Sequence, residues 1–555
     1  QAAELGPLAQ LASAMKGQTA YRFQLAMQGG QSEVSFASNL QGMALDLPAP
    51  LRKEADAALP LRWLQVPIAA GRDEIRVELG ASSAPLLQAQ LQRDTTTGRA
   101  LRGAIAVQDK LPALPPSGIA VQLQAASLDL DAWQAQVARW ARQARMGAAT
   151  EATAAAPDLS WLPQQVNLRS RQLRLDGRQL SGVAAQISRN PDASVWRLQL
   201  DAEQLAGLVE LRGVQFSAPA EVAEVHARLS RLSLPRQDAD TMSARATELL
   251  DREGGASFPA LDIVVDDFEL KGKRLGRLEL QARVPGRSSG ARDWQLDRIE
   301  IKSPDATLHG QGSWAAPRPG SPRRTELELQ LDIADAGRLL ARLGQPATLR
   351  GGKGSMSGHI NWDGSPLAFN YPSLGGELKL QLDSGTFLKA EPGVARLLGV
   401  LSLQSLPRRL LLDFRDVFAD GFVFDGVTAD VHLANGVARS DNIRIRGVQA
   451  AVLVDGSSDL AAETQVLRVV VVPEINAGGA SLAYAAINPA VALTTFLAQL
   501  VFSRPMAAAN TREFHITGTW SEPKVERVER IPEAVREAAR AASAPPTPST
   551  PASAP

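Results

Sequence analysis

Residues 325–333 read TELELQLDI. Leu327, Leu329, Leu331 and Ile333 fall on one side of an extended chain, and Glu326, Glu328, Gln330 and Asp332 fall on the other. Side chains in a strand alternate faces with a period of two, so this stretch is a strand with one dry face and one wet face. The pattern recurs along the chain, and every dry face must be covered. That need, repeated over roughly twenty strands, constrains the fold more than any other feature.

The same alternation appears in YRFQLAM (21–27), EIRVEL (74–79), GIAVQLQ (118–124), GRLELQARV (276–284), GELKLQLD (376–383), GFVFDGVTADVHL (421–433) and DNIRIRG (441–447). Gly, Asn, Asp and Pro punctuate these runs, as antiparallel hairpins require. VWRLQLDAEQLAGLVELRG (195–213) resembles DWQLDRIEIKSPDATLHGQGSWA (293–315). Both open with Trp-x-Leu, turn, and return as a strand, which reads as one β unit added repeatedly.

Lys+Arg 59 against Asp+Glu 59 leaves no basic surplus, which argues against a general nucleic-acid binder. The 555 residues exceed one ordinary core. Aromatics are only 5%, so the dry faces are built from Leu, Val, Ile and Ala. There is no cysteine, hence no disulfide, thiolate metal site or Cys nucleophile. The chain opens on Gln1 without a signal-like segment, which reads as a processed chain or a piece of a longer one.

Helical patterns are few. DAWQAQVARWARQARM (131–146) has Asp131 as its expected N-cap, an apolar stripe of Trp133, Val137 and Trp140, and a basic ridge of Arg139, Arg142 and Arg145. ADAGRLLARLG (334–344) and EPGVARLLGVLSLQSL (391–406) are short and Leu-rich. SLAYAAINPAVALTTFLAQLVFS (481–503) is long enough for a membrane span, but Asn488-Pro489 breaks it. It reads either as a helix on a membrane or in a hydrophobic opening, or as one packed on the sheet. Leu493, Phe496, Leu497, Leu500, Val501 and Phe502 are its candidate membrane contacts.

Motifs for chemistry fail on inspection. The five histidines lack metal-ligand spacing. RGGKGSMSGH (350–359) misses the phosphate-loop, dinucleotide and nucleophile-elbow patterns, and reads as a turn feeding the strand HINW. Asp266 and Asp267 would point to opposite faces of a strand and could share a site only across a bulge. Arg408 and Arg409 read as a solvated strand start.

FPALDIVVDDFELKGKRLGRLELQA (258–282), LDIADAGRLLARLGQPATLRGGKGSMSGHINWDGSP (331–366) and GGELKLQLDSGTFLKAEPGVARLLGVLSLQSLPRRLLLDFRDVFADGFVFDGV (375–427) resemble AsmA-like proteins of the YhdP type. LRVVVVPEI (467–475) and ITGTWSEPKVERV (516–528) continue the resemblance, which covers nearly the whole chain. It implies a mainly β fold: a long antiparallel sheet curled into an open hydrophobic groove, a β-taco, with a few short amphipathic helices. The implied function is bridge-like transfer of phospholipid across the periplasm of a Gram-negative bacterium, between inner and outer membranes. An N-terminal segment missing here would anchor the protein in the inner membrane.

On this reading the groove is lined by Phe23, Leu25, Ile75, Val77, Val121, Leu123, Leu278, Leu280, Leu327, Leu329, Leu331, Leu378, Leu380, Leu382, Phe422, Phe424, Ile443 and Ile445. The expected organisation is a first groove part (1–235), a helical connector (236–257), a second groove part (258–475), an apolar helical segment (476–510), a final strand (511–530) and a tail (531–555) that is helical, then disordered. Exposing two acyl chains of ~16 carbons to water costs on the order of 25 kcal/mol, and a continuous apolar track removes that barrier. No catalytic residue, cofactor or metal is expected, and the partners are phospholipid and the two membranes, not nucleic acid. The alternative is a non-catalytic envelope scaffold with a closed β core.

Overall fold

The computed structural model describes residues 14–28, 31–147, 159–215, 222–235, 259–283, 294–316, 323–346, 348–366, 369–388, 421–447, 450–473 and 512–528. The expectations for 236–257, 391–406, Arg408 and Arg409, 481–503 and the tail lie outside them. The described residues form 29 strands, of which 27 belong to one hydrogen-bonded mixed sheet, so the protein is mainly β. They also form two α-helices, Leu130–Gly147 and Ala336–Arg342. The chain divides into two compact units. The first comprises Gln1–Ser303, Leu308–Thr325 and Gly364–Phe369, and the second Pro304–Thr307, Glu326–Asp363 and Asn370–Pro555.

In the first unit the sequence Asp176-Gly177 joins Pro163–Leu175 to Arg178–Arg189. Both turn residues have positive φ (54° and 75°), the backbone of the tight hairpin whose twist matches its strands. Lys271-Gly272 makes the same turn. The ladder is not uniformly antiparallel. Gly118–Asp129 runs parallel to both Ala100–Val107 and Pro163–Leu175, and Glu224–Leu234 runs parallel to Ala260–Leu270. A parallel pair needs a crossover, and the helix Leu130–Gly147 lies on one of them.

The cap of that helix differs from expectation. Asp129, not Asp131, accepts the N–H of Ala132 at 2.8 Å. Asp131 instead accepts the backbone N–H groups of Asp176 (2.6 Å) and Gly177 (2.7 Å), fixing the hairpin turn to the helix. The apolar stripe also splits. Leu130 and Trp133 pack on the sheet, Gln136 is buried, and Val137 is 55% exposed. The helix is oriented by Leu130 and Trp133, and the indole of Trp133 donates to the carbonyl of Ala49.

In the second unit Asp335 caps Ala336–Arg342 by accepting the N–H of Arg338. Leu339 and Leu340 of that helix pack against a core that includes Phe424, Val427, Ile445, Val452, Val469 and Phe514. The rings of Phe387 and Phe424 meet at 4.9 Å. The strand Thr464–Pro473 becomes dry on both faces at Val469, Val470 and Val471, each 2% exposed or less, whereas Val466 nearer its start is 63% exposed. The turn expected over 350–359 is confined to Gly352 and Lys353: Leu349–Gly351 ends before them, and the strand that contains HINW already begins at Gly354.

Candidate functional site

Residues directly opposite on neighbouring strands share a face, with Cβ atoms about 5 Å apart. In the first unit these partnerships align into a row. Phe23 faces Phe36, which faces Trp63, then Val77, Ala89 and Ile105. The row continues through Val121, Val166, Ile187, Leu198 and Val209. It ends on Ala227, Ile263, Leu280 and Ile299. Fifteen strands thus present one apolar residue each without interruption, a contour of about 70 Å at ~4.8 Å per strand.

A second row lies two residues away along each strand, about 7 Å. Leu61 faces Leu79, then Leu87, Val107, Leu123 and Leu168. Ala185, Leu200, Gly207, Leu229, Val265, Leu278 and Ile301 follow. Polar groups border this band. Asp73, on the face of Ile75, takes a two-pronged contact from Arg93 (2.9 and 3.0 Å) and a bond from Gln65 (2.6 Å). Arg189, two residues beyond Ile187, is 9% exposed and donates to five backbone carbonyls, and burial pushes its pKa down.

The expected lining residues differ widely in cover. Phe23 and Leu25 are both 57% exposed, with Tyr21 and Met27 beside them also exposed. Val77, Val121, Leu123, Leu280, Leu327, Leu329, Leu331, Leu378, Leu380, Leu382 and Ile443 are half-buried. Ile75, Leu278, Phe422, Phe424 and Ile445 are buried. In the first unit, Phe23, Val77, Val121 and Leu280 stand in the first row and Leu123 and Leu278 in the second. Those of the second unit other than Leu380 pack in clusters: Leu327, Leu329 and Leu378 beside Trp362, and Leu331, Leu382 and Ile443 beside the buried Phe422, Phe424 and Ile445. Leu493, Phe496, Leu497, Leu500, Val501 and Phe502 lie outside the described residues.

Sequence reading missed several members of the rows. Phe36 and Trp63 sit in QSEVSFAS and LRWLQVPIA, where alternation is diluted by small residues and a proline. Only strand register brings them into line. It also missed a coordinated slip. Ala126 and Ser127 are both exposed, as are Arg171 and Gln172, and Gly182 has φ 61° in the facing strand. Leu128, Leu173 and Leu180 thereby return to the apolar side, where Leu130 and Trp133 cover them. Asp266 and Asp267 likewise straddle a bulge. Both are exposed while Val265 and Phe268 are buried, and Arg277 pairs with Asp266. No helix among the described residues is long and apolar enough to cross a membrane.

The YhdP family, described as "YhdP protein", matches residues 2–525. The intermembrane phospholipid transporter YhdP of Escherichia coli (strain K12) is 23% identical over 501 residues, which cover 90% of this chain and 37% of that protein. The chain therefore spans little more than a third of that relative's length. No solved structure matches.

Proposed function

We propose that this chain, which belongs to the YhdP family, is a segment of a bridge that carries phospholipid between the inner and outer membranes of a Gram-negative envelope. The single observation behind this reading is the unbroken apolar row from Phe23 to Ile299 and its companion two residues away. The two rows together are broad enough for two hydrocarbon chains side by side. They run across the strands, which is the direction in which a sheet grows. Each CH₂ kept out of water is worth about 0.8 kcal/mol, so a chain sliding along a continuous band meets no solvation barrier. Polar residues on the opposite face keep the band's exterior wetted. The cargo follows from the relative, whose name states phospholipid transport between membranes. Periplasmic location and an inner-membrane anchor outside this chain belong to the same proposal.

Photocrosslinking tests it. A photoreactive side chain at Val121 or Leu280, with controls at the outward-facing Gln199 and Gln281, is irradiated in cells. The expected result is phospholipid covalently trapped at Val121 and Leu280 alone. Absence of lipid at both, in folded protein, overturns the reading. A second reading, a closed scaffold, draws on the second unit, where Phe424 and Val427 are 0% and 3% exposed within a protein core. The same label at Leu380 yields protein–protein adducts on the scaffold reading and lipid adducts on the conduit reading.

A further inference from the structure

Ion pairs tie much of the outward face of the first unit. Arg197 and Arg212 both bridge Glu210, and Arg228 bridges Asp262. Across four adjacent strands one outward row carries amides instead of charges. Gln122, Asn167, Gln186 and Gln199 face one another in succession across Gly118–Asp129, Pro163–Leu175, Arg178–Arg189 and Val195–Asp201. Asn167, Gln186 and Gln199 are exposed and have no side-chain partner among the described residues. A concavity of about 330 Å³ opens along the row. Its depth is set by Ala184, which stands in register between Arg169 and Asp201. Asp109, on the crossover before Gly118–Asp129, lines it and accepts from Gln122 Nε2 at 3.1 Å. Beyond Gln199 the row reaches Leu208, which is 39% exposed.

We propose that this concavity binds an oligosaccharide strand laid along the amide row. Each carboxamide offers two donors and an acceptor in one plane. A sugar hydroxyl is both donor and acceptor, so it pairs with either end of an amide. The row repeats at ~4.8 Å and spans about 15 Å, so successive units of an extended chain meet successive amides. The charged groups at the border, Asp109, Asp201 and Arg169, are of mixed sign. They select no polyanion, which excludes nucleic acid. An extended peptide gains its affinity by pairing with a free strand edge. These four strands are interior to the ladder, so that route is closed. Leu208 supplies an apolar patch for the C–H face of a sugar ring. The inference stands on the outward face and does not depend on what the opposite face carries.

The test titrates the full chain with chitotetraose and, separately, cellotetraose, read by saturation-transfer NMR and calorimetry. Saturable binding of at least one is expected. Gln186→Leu and Asn167→Leu weaken it about tenfold, Ala184→Trp fills the concavity and abolishes it, and Gln281→Leu on a distant strand leaves it unchanged. The exposed positions keep the unfolding temperature constant, so loss of binding is not loss of fold. The proposal is overturned if neither saccharide binds the parent chain. It is equally overturned if binding survives both Gln186→Leu and Ala184→Trp, or if a neutral peptide saturates the row and the saccharides do not.

Discussion

Arg189 donates from Nη2 to the carbonyl oxygen of Leu162 at 2.6 Å, joining residues 27 apart. The same guanidinium reaches the carbonyls of Leu159, Pro163, Asn190 and Pro191. One charge therefore holds both the entry to Pro163–Leu175 and the turn after Arg178–Arg189, at the border of the apolar band. Arg189→Met strips five carbonyls of their donor and loses on the order of 3 kcal/mol. Arg189→Lys, with three donors and no planar fork, recovers part of that. Denaturant unfolding followed through the fluorescence of Trp196, which faces Arg189 across the ladder, reads both. Equal stability of Arg189→Met and parent would show that the carbonyls find other partners.

The rows make a prediction of opposite character, in which stability and function separate. Val121→Asp and Leu280→Asp place carboxylates in half-buried positions of the first row. A carboxylate opposes a hydrocarbon chain by several kcal/mol, because it must stay hydrated. Phospholipid carried through purification by the double variant, counted by mass spectrometry, should fall at least about tenfold from a 1.4 kcal/mol or larger penalty. Gln281→Asp, on the outward face, should change nothing. Undiminished lipid in a folded double variant would remove the band from the transport path.

Asp129 and Asp131 are two residues apart, yet they stabilise different elements. Hydrogen exchange distinguishes them. Asp129→Ala frees the N–H of Ala132 and should cost the helix about 1 kcal/mol. Asp131→Ala frees the N–H groups of Asp176 and Gly177, so exchange should rise at that hairpin turn. The reverse pattern would restore Asp131 as the cap.

How far the sequence carried can be judged from individual strands. In Arg324–Ile333 burial alternates residue by residue from Thr325 to Ile333, as TELELQLDI dictates, because one face meets protein and the other water. In Thr464–Pro473 the run Val469-Val470-Val471 has no alternation, and both faces are buried. A periodic signal reports one-sided cover and its loss reports two-sided cover. Register is a different kind of fact. Phe36 and Trp63 join the first row only because Phe23 selects one and Phe36 the other across the ladder. The slip at Ala126, Arg171 and Gly182 is a property of three strands together, and no one of them announces it. The helix failed for a related reason. Its stripe predicted that Val137 packs, but Leu130 at the helix start fixes the rotation, and Gln136 goes inward instead.

Two carboxylates should respond to pH with opposite sign. Asp455 faces Arg468 across the ladder, but that guanidinium donates from Nε to Glu513 at 2.7 Å and comes no nearer than 4.0 Å to Asp455. Burial, only partly offset by Arg468, raises the Asp455 pKa above the ordinary carboxylate range. The folded chain therefore binds this proton more tightly than the unfolded chain does. Stability falls as pH rises from the ordinary Asp value, about 4, to the raised one, and the cost is constant above it. Asp455→Asn should match the parent near the acid end and exceed it at neutral pH. Glu210 is the counterpart. Hydrogen bonds from Arg197 and then Arg212 lower its pKa, so its contribution is present above the ordinary Glu range and is lost as pH falls through the lowered value. Glu210→Gln should be less stable than the parent at neutral pH, with the gap closing on acidification. Hydrogen exchange in Ala450–Asp459 and Leu205–Arg212, measured at acid and neutral pH, follows each strand separately. A gap that widens on acidification for Glu210→Gln would mean that the folded chain binds the Glu210 proton more tightly than the unfolded chain does, and the ion-pair account of this face would fail.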